Sequence, residues 1–233
     1  MDLTIKIIKN VLFILPALFG THVWLYGKNP KYYFFVVRLF SKWRDTTWAV
    51  NVDFKLSTVD GAYIKVEDVF KELYINNRYK RVVNMKNKKV YECGLFNIIV
   101  QDDFDSGVLS ENKLNIRIAQ INVTTNTAEE KLRELREFFN KLSHALVPVS
   151  QSYHLDVQFE NGKNPFYGLM VQRLGRDNVL HFECVFPISA IVPKNNGNDR
   201  NPHYLRIFKE KLCINESSFD ILEETAKRAL LFK

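Results

Sequence analysis

The sequence predicts an α+β fold, with N-terminal membrane and amphipathic helices followed by an antiparallel-sheet domain with three helices. Three observations carry this. An uncharged apolar run lies near the start, several later segments alternate apolar and polar residues, and three segments repeat apolar residues at helical spacing. The order of elements also predicts two similar β-α-β-β-β halves, although no residue-level repeat accompanies it.

The first element is Val11–Gly27, VLFILPALFGTHVWLYG, which contains no Asp, Glu, Lys or Arg. Its length is near the lower limit of the roughly 17–25 residues that a spanning helix needs. Lys6 and Lys9 precede it, and Lys28 and Lys31 follow. Pro16 and Gly20 are tolerated in membrane helices. Trp24 and Tyr26 stand where an interfacial aromatic belt would lie. The expectation is a single transmembrane anchor. A cleaved signal peptide fits less well, because no small-x-small site follows the apolar run. A buried core helix is the structural alternative.

Asn29-Pro30 opens a second helix, KYYFFVVRLFSKWR, with Pro at the first helical position. Tyr33, Val36, Val37 and Phe40 recur at helical spacing. Lys31, Arg38, Lys42 and Arg44 lie among aromatics that include Trp43. Such a basic, aromatic amphipathic helix reads as lying in the membrane interface against anionic lipid. Its alternatives are a core helix and a subunit contact. Residues 1–46 therefore form an anchor plus interfacial helix, and residues 47–233 a domain. Basic residues after the anchor (Lys28, Lys31, Arg38, Lys42, Arg44) place that domain in the cytoplasm of a single-pass protein.

Charge placement agrees. The net charge is +7, from 33 Lys/Arg and 26 Asp/Glu; residues 1–47 hold seven of the former and two of the latter. The basic excess is mostly membrane-proximal, which favours lipid headgroups over nucleic acid as its cause. Cys93, Cys184 and Cys213 are widely spaced with no CxxC pair, and read as reduced, mostly buried thiols. The Asn122 and Asn215 glycosylation patterns matter only for an extracellular domain.

In the domain, Trp48–Leu56 alternates strictly, with Trp48, Val50, Val52, Phe54 and Leu56 on one face. Asp60-Gly61 is a turn, and Val66, Val69, Phe70 and Leu73 mark a short helix. Lys80–Met85 and Lys89–Val100 form a hairpin turning near Asn87-Lys88, with Gly94 as a candidate bulge. Leu114–Val123 is a strand. Thr127 and Glu130 form a capping box for a helix that buries Leu132, Leu135, Phe138, Phe139, Leu142 and Leu146 and stops at Pro148. Tyr153–Glu160, Phe166–Leu174 and Val179–Phe186 read as strands, separated by turns at Asn161-Gly162 and Gly175–Asn178. Pro193–Pro202 is a polar loop. A strand near Tyr204–Ile214 leads to a helix capped by Ser217, with Ile221, Leu222, Ala226, Ala229 and Leu230 on one face.

The candidate catalytic group combines His154, Asp156, Gln158 and Glu160 on one strand face with His181 and Glu183 on another, while Leu180, Phe182, Cys184 and Phe186 face the core. Convergence of these groups would suit a metal or general acid–base chemistry. Alternation alone produces the same polar face in any antiparallel sheet, and no HExxH or HxxEH spacing occurs. The loop holding Asp102, Asp103, Asp105, Ser106 and Gly107 lacks the EF-hand spacing and reads as a turn. No glycine-rich phosphate motif and no GxSxG elbow is present. Arg78, Lys80, Arg81, Lys86, Lys88 and Lys89 cluster around Tyr79 and Tyr91. That hairpin could grip a nucleic acid, a nucleotide or another anion, or could be a solvated, edge-protecting hairpin.

The expectation is a membrane-anchored, non-enzymatic protein without a cofactor or metal. Its cytoplasmic domain binds a ligand or protein partner, including a second copy of itself, and relays or assembles at the membrane. A membrane effector of a defence system has this layout. The alternatives are a membrane-attached metal-dependent hydrolase and a nucleic-acid or nucleotide-binding module using the basic hairpin.

Overall fold

The computed structural model describes residues 2–40, 46–74, 79–93, 96–102, 112–124, 126–160, 164–190, 192 and 204–230; side chains at 2–13, 38, 40, 96 and 190 are left out of the description. The chain is a mixed α+β protein; its described residues form six α-helices and one nine-stranded antiparallel sheet.

Two helices come first, α1 (Asp2–Lys28) and α2 (Pro30–Phe40). Then follow β1 (Thr46–Lys55), α3 (Ala62–Leu73), β2 (Tyr79–Asn84), β3 (Lys88–Cys93), β4 (Phe96–Asp102) and β5 (Lys113–Val123). Next are α4 (Ala128–Leu146), β6 (Ser150–Phe159), α5 (Pro165–Leu174), β7 (Glu183–Pro187), β8 (Tyr204–Phe208), β9 (Lys211–Glu216) and α6 (Phe219–Ala229). The strand order is β2-β3-β4-β5-β1-β6-β9-β8-β7. After β1 and α3, the strands β2 to β5 return to pair with β1; after β6 and α5, the strands β7 to β9 return to pair with β6. β1 and β6 pair at the centre, Val50 opposite Leu155 and Asn51 opposite His154.

Alternation sorts the two faces. Trp48, Val50, Val52 and Phe54 of β1 are fully buried, as are Leu114 and Ile116 of β5 and Leu155 and Val157 of β6. They meet a helical layer whose rings interlock. Phe70 of α3 stacks on Phe138 of α4 at 5.9 Å, and Phe139 contacts Tyr153 at 5.7 Å and Phe219 of α6 at 5.6 Å. Burying such side chains is worth about 1.5–3 kcal/mol each, so this layer supplies the core. The other face of the central strands carries Asn51, Asp53, His154 and Asp156, which are only half-buried.

Several local expectations change. Phe166–Leu174 is the helix α5, not a strand, so the described part of residues 47–233 holds four α-helices rather than three. Asn164 explains it: its side chain accepts from Phe166 N at 2.9 Å, and Pro165 takes the first helical position. The expected strand Val179–Phe186 is reduced to β7. Leu180 is 95% exposed and Phe186 is exposed, so neither faces the core, while Cys184 is half-buried and Phe182 buried. Lys89–Val100 is split between β3 and β4, and Tyr204–Ile214 between β8 and β9. Thr127 is the residue before α4, but its hydroxyl pairs with Thr124 rather than capping the helix. Ser218, not Ser217, precedes α6 and makes no side-chain cap. The candidate bulge at Gly94, the Asn161-Gly162 turn and the 193–202 loop lie outside the described residues.

Candidate functional site

Three surfaces were singled out by the sequence, and the structure treats each differently. The first is the helical arm. Residues 14–21 of α1 are exposed on every side, and Ile14, Leu15, Leu18, Phe19, Val23 and Trp24 are each more than half exposed. This stretch is not core, so the buried-helix alternative is set aside for it. Among the described residues, no helix is long and apolar enough to cross a membrane.

The base of the arm is built by local chemistry. Asn29 Oδ1 accepts from Lys31 N at 3.0 Å and Tyr32 N at 3.2 Å, capping α2 and fixing the corner. His22 Nδ1 and the Tyr32 hydroxyl are hydrogen-bonded at 2.8 Å, and the Tyr26 and Tyr33 rings are 5.0 Å apart. The corner is tied to the sheet domain through α5. Phe34 meets Phe166 at 5.3 Å, and Arg173 donates to the Lys28 carbonyl at 2.8 Å. Tyr33 is buried over Gly168, where a Cβ would come within 2.5 Å of the Tyr33 hydroxyl. Only a glycine admits that contact unchanged. Of the expected interface residues, Trp24 and Lys31 are exposed and Tyr26 is half-buried. The Arg38 side chain, and all of Lys42, Trp43 and Arg44, lie outside the description.

The second surface is the basic hairpin. Lys80 and Lys86 are exposed and Lys88 is half-buried. Arg81 and Lys89 are already engaged: Glu67 of α3 receives Arg81 at 3.0 Å and Lys89 at 3.4 Å, and the Tyr91 hydroxyl at 2.7 Å. Burial pushes Glu67 up, but the Tyr91 hydrogen bond and the two cations outweigh it and hold the carboxyl below its ordinary value. Tyr91 is fully buried against Phe70 at 4.8 Å, and Tyr79 meets the same ring at 5.9 Å. Tyr91 therefore has no open face on which a base could stack, whereas Tyr79 is half-buried. Arg78 lies outside the described residues.

The third surface is the open sheet face. His154 Nε2 is 3.1 Å from Asp156 Oδ1, and His154 Nδ1 bonds Asn215 Oδ1. The contact with Asp156 raises the imidazole above its ordinary value, against burial. The same contact draws Asp156 down to about 2. Cys213 opposite Asp156 is pushed up to about 12, by burial first and by Asp156 second, so its sulfur stays a thiol. His181 and Glu183 form a separate pair at 3.8 Å, with His181 highly exposed. Glu183 lies on β7, with β8 and β9 between it and β6, a separation of about 14 Å at the usual strand spacing. His181 precedes β7 and lines a cleft with Gln158 and Lys211, whereas His154 lines a different one with Asn51, Asp53 and Asn215. His154 and Asp156 thus form one pair and His181 and Glu183 another, and of the first strand's expected group it is Gln158 that shares a cleft with His181. Gln158 and Glu160 are exposed. Among the described residues, no group of three His, Cys, Asp or Glu could hold a metal ion. Sequence reasoning missed two features, the Glu67 hub and a cleft between Tyr63, Lys86 and Asp102. Each assembles residues from α3 and the β2–β4 strands, and no local spacing announces it.

No protein-family model matches the chain, and no curated protein matches it. Among solved structures, a Pseudomonas aeruginosa T6SS protein, PA0821, is similar over 72% of this chain and 64% of its own, with 7% sequence identity and a TM-score of 0.35. The chain thus spans less than two thirds of that protein's length, and a likeness this distant carries no argument about function.

Proposed function

We propose that the chain is a membrane-attached, non-catalytic binding module. The α1 helix seats in lipid, α2 lies at the interface, and the sheet domain holds a ligand or protein partner on the cytoplasmic side. The carrying observation is the arm that is apolar and exposed all round at residues 14–21. A helix apolar on all sides is stable only inside a protein or a bilayer, and here the chain's own core does not enclose it. Half-burying six large apolar side chains in lipid is worth on the order of 5 kcal/mol or more. The basic residues flanking the arm add attraction to anionic headgroups and set the orientation. The two similar halves are divided differently from the sequence reading, which opens the second at Leu114–Val123: that strand, β5, pairs with β1, and the blocks are β1-α3-β2-β3-β4-β5 and β6-α5-β7-β8-β9, with four and three returning strands.

Vesicle flotation tests this. Full-length protein should float with vesicles containing phosphatidylglycerol and should sink when Leu18→Glu and Phe19→Glu are combined, while circular dichroism stays unchanged. A wild-type protein that remains at the bottom of the gradient as a large, salt-insensitive oligomer would show that other copies, not lipid, cover the arm.

A further inference from the structure

A cleft of about 480 Å³ opens where the start of α3 meets the turn between β2 and β3 and the end of β4. It is lined by Val59, Asp60, Gly61, Tyr63, Lys86 and Asp102, with Asn87 at the turn. Its volume lies at the small end of ligand-binding sites. Nothing already described uses it, apart from the placement of Lys86.

Two features give the cleft a polarity. The first is the start of α3. Gly61 stands at the cap with φ 75° and no side-chain cap bond, and a Cβ there would meet nothing within 4 Å. Ala62 N bonds Val59 O, and Ile64 N and Lys65 N both reach Gly61 O, so Tyr63 N–H is the donor of the first turn with no acceptor among the described residues. The first turn of a helix carries a partial positive charge and receives anionic groups. Lys86, exposed at the rim, has the same sign. The second feature is Asp102. It is 7% exposed, its backbone is fixed by Asp102 N bonding Asn87 O at 3.0 Å, and its Oδ1 has no hydrogen-bond partner among the described residues. The Tyr63 hydroxyl lies beside it, close enough for the carboxylate charge to add to burial in raising the phenol, yet it too lacks a well-formed hydrogen bond.

A buried carboxylate oxygen without a well-placed donor is costly, and the Tyr63 hydroxyl beside it does not complete a well-formed bond. A simple anion entering the cleft would meet Asp102 and Asp60. A simple cation would meet Lys86 and the positive end of α3. A ligand carrying both charges a few bonds apart satisfies both ends. We propose that this cleft binds a small zwitterion of the α-amino-acid class. Its ammonium group donates to Asp102 Oδ1 and the Tyr63 hydroxyl, and its carboxylate accepts from Tyr63 N–H and Lys86. The proposal deepens the reading of the sheet domain as a binding module and does not depend on membrane seating.

The test uses full-length protein in mild detergent, with thermal unfolding and calorimetry against the standard L-amino acids. Each is paired with its N-acetyl and carboxamide derivatives, and calcium chloride and inorganic phosphate serve as simple-ion controls. The expected result is that one or a few amino acids bind and both derivatives fail. Asp102→Asn should then abolish binding. Lys86→Met, at an exposed position that cannot disturb the core, should weaken it about tenfold or more without moving the ligand-free unfolding temperature. The proposal is overturned if no amino acid binds at about 10 mM, or if acetylated and free forms bind alike. Binding that both variants leave unchanged, or binding of calcium or phosphate alone that either variant removes, also overturns it. Vesicle flotation is read separately, so failure at the cleft and failure of membrane attachment are distinguishable.

Discussion

Replacing Glu67 tests how the helical layer is fastened to the edge of the sheet. Glu67 takes the Tyr91 hydroxyl at 2.7 Å, Arg81 at 3.0 Å and Lys89 at 3.4 Å. The tyrosine bond matters most, because Tyr91 is fully buried and its acceptor is charged. A hydrogen bond to a charged group is worth about 1.5–3 kcal/mol, and removing one partner leaves the other unsatisfied. The ion pairs add little: the Arg81 side chain is 43% exposed and that of Glu67 23%, so each is worth roughly 0.2–1 kcal/mol. Glu67→Leu should therefore destabilise by about 2–4 kcal/mol. Glu67→Gln keeps an acceptor for Tyr91 and should cost about 1 kcal/mol. Urea unfolding of the full chain measures both. A double-mutant cycle with Tyr91→Phe should return a coupling of about 1–2 kcal/mol. The pH dependence has a definite sign. The folded carboxyl lies below its ordinary 4.5, so its contribution is complete above that value and is lost as pH falls through the folded value. Glu67→Gln should flatten that acid limb. A Glu67→Leu protein within about 0.5 kcal/mol of wild type, or a cycle with no coupling, would refute the reasoning.

Other outcomes follow from single contacts. Val147 ends α4 in the left-handed region with φ 50° and is exposed, so Val147→Gly should raise stability by about 1 kcal/mol in urea unfolding. Gly168→Ala should destabilise the α2–α5 contact by about 1 kcal/mol despite its better helix propensity, and Tyr33→Phe, which removes the clashing hydroxyl, should reverse the sign. A Gly168→Ala gain with Tyr33 intact would contradict that packing. In NMR titration His154 should lose its proton above 6.5, and Asp156→Asn should bring that value down. The His154 contribution to stability is complete below 6.5 and fades as pH rises through the folded value. That of Asp156 is complete above 3.8 and fades as pH falls toward about 2.

Local pattern determined much of the architecture. The alternation in Trp48–Leu56 specifies β1 and its buried face, because a strand shows its side chains to opposite sides in turn. The spacing of Leu132, Leu135, Phe138, Phe139, Leu142 and Leu146 specifies the buried stripe of α4 for the equivalent helical reason. The apolar arm, too, is fully legible in composition. Tertiary structure decided the rest. Phe166–Leu174 is rich in residues that suit a strand, yet buried Asn164 caps it as a helix while its Nδ2 donates to the Phe208 carbonyl at 2.6 Å. That second bond reaches another strand and leaves no trace in nearby sequence. Sheet order likewise put β9 and β8 between Glu183 and His154, although both looked like members of one polar face. Glu67 and Asp102 gained their roles only when α3 closed over the β2–β4 strands. Periodicity reports which side of an element is buried; it does not report which element lies opposite, because that is settled by long-range contacts whose free energy depends on the whole chain.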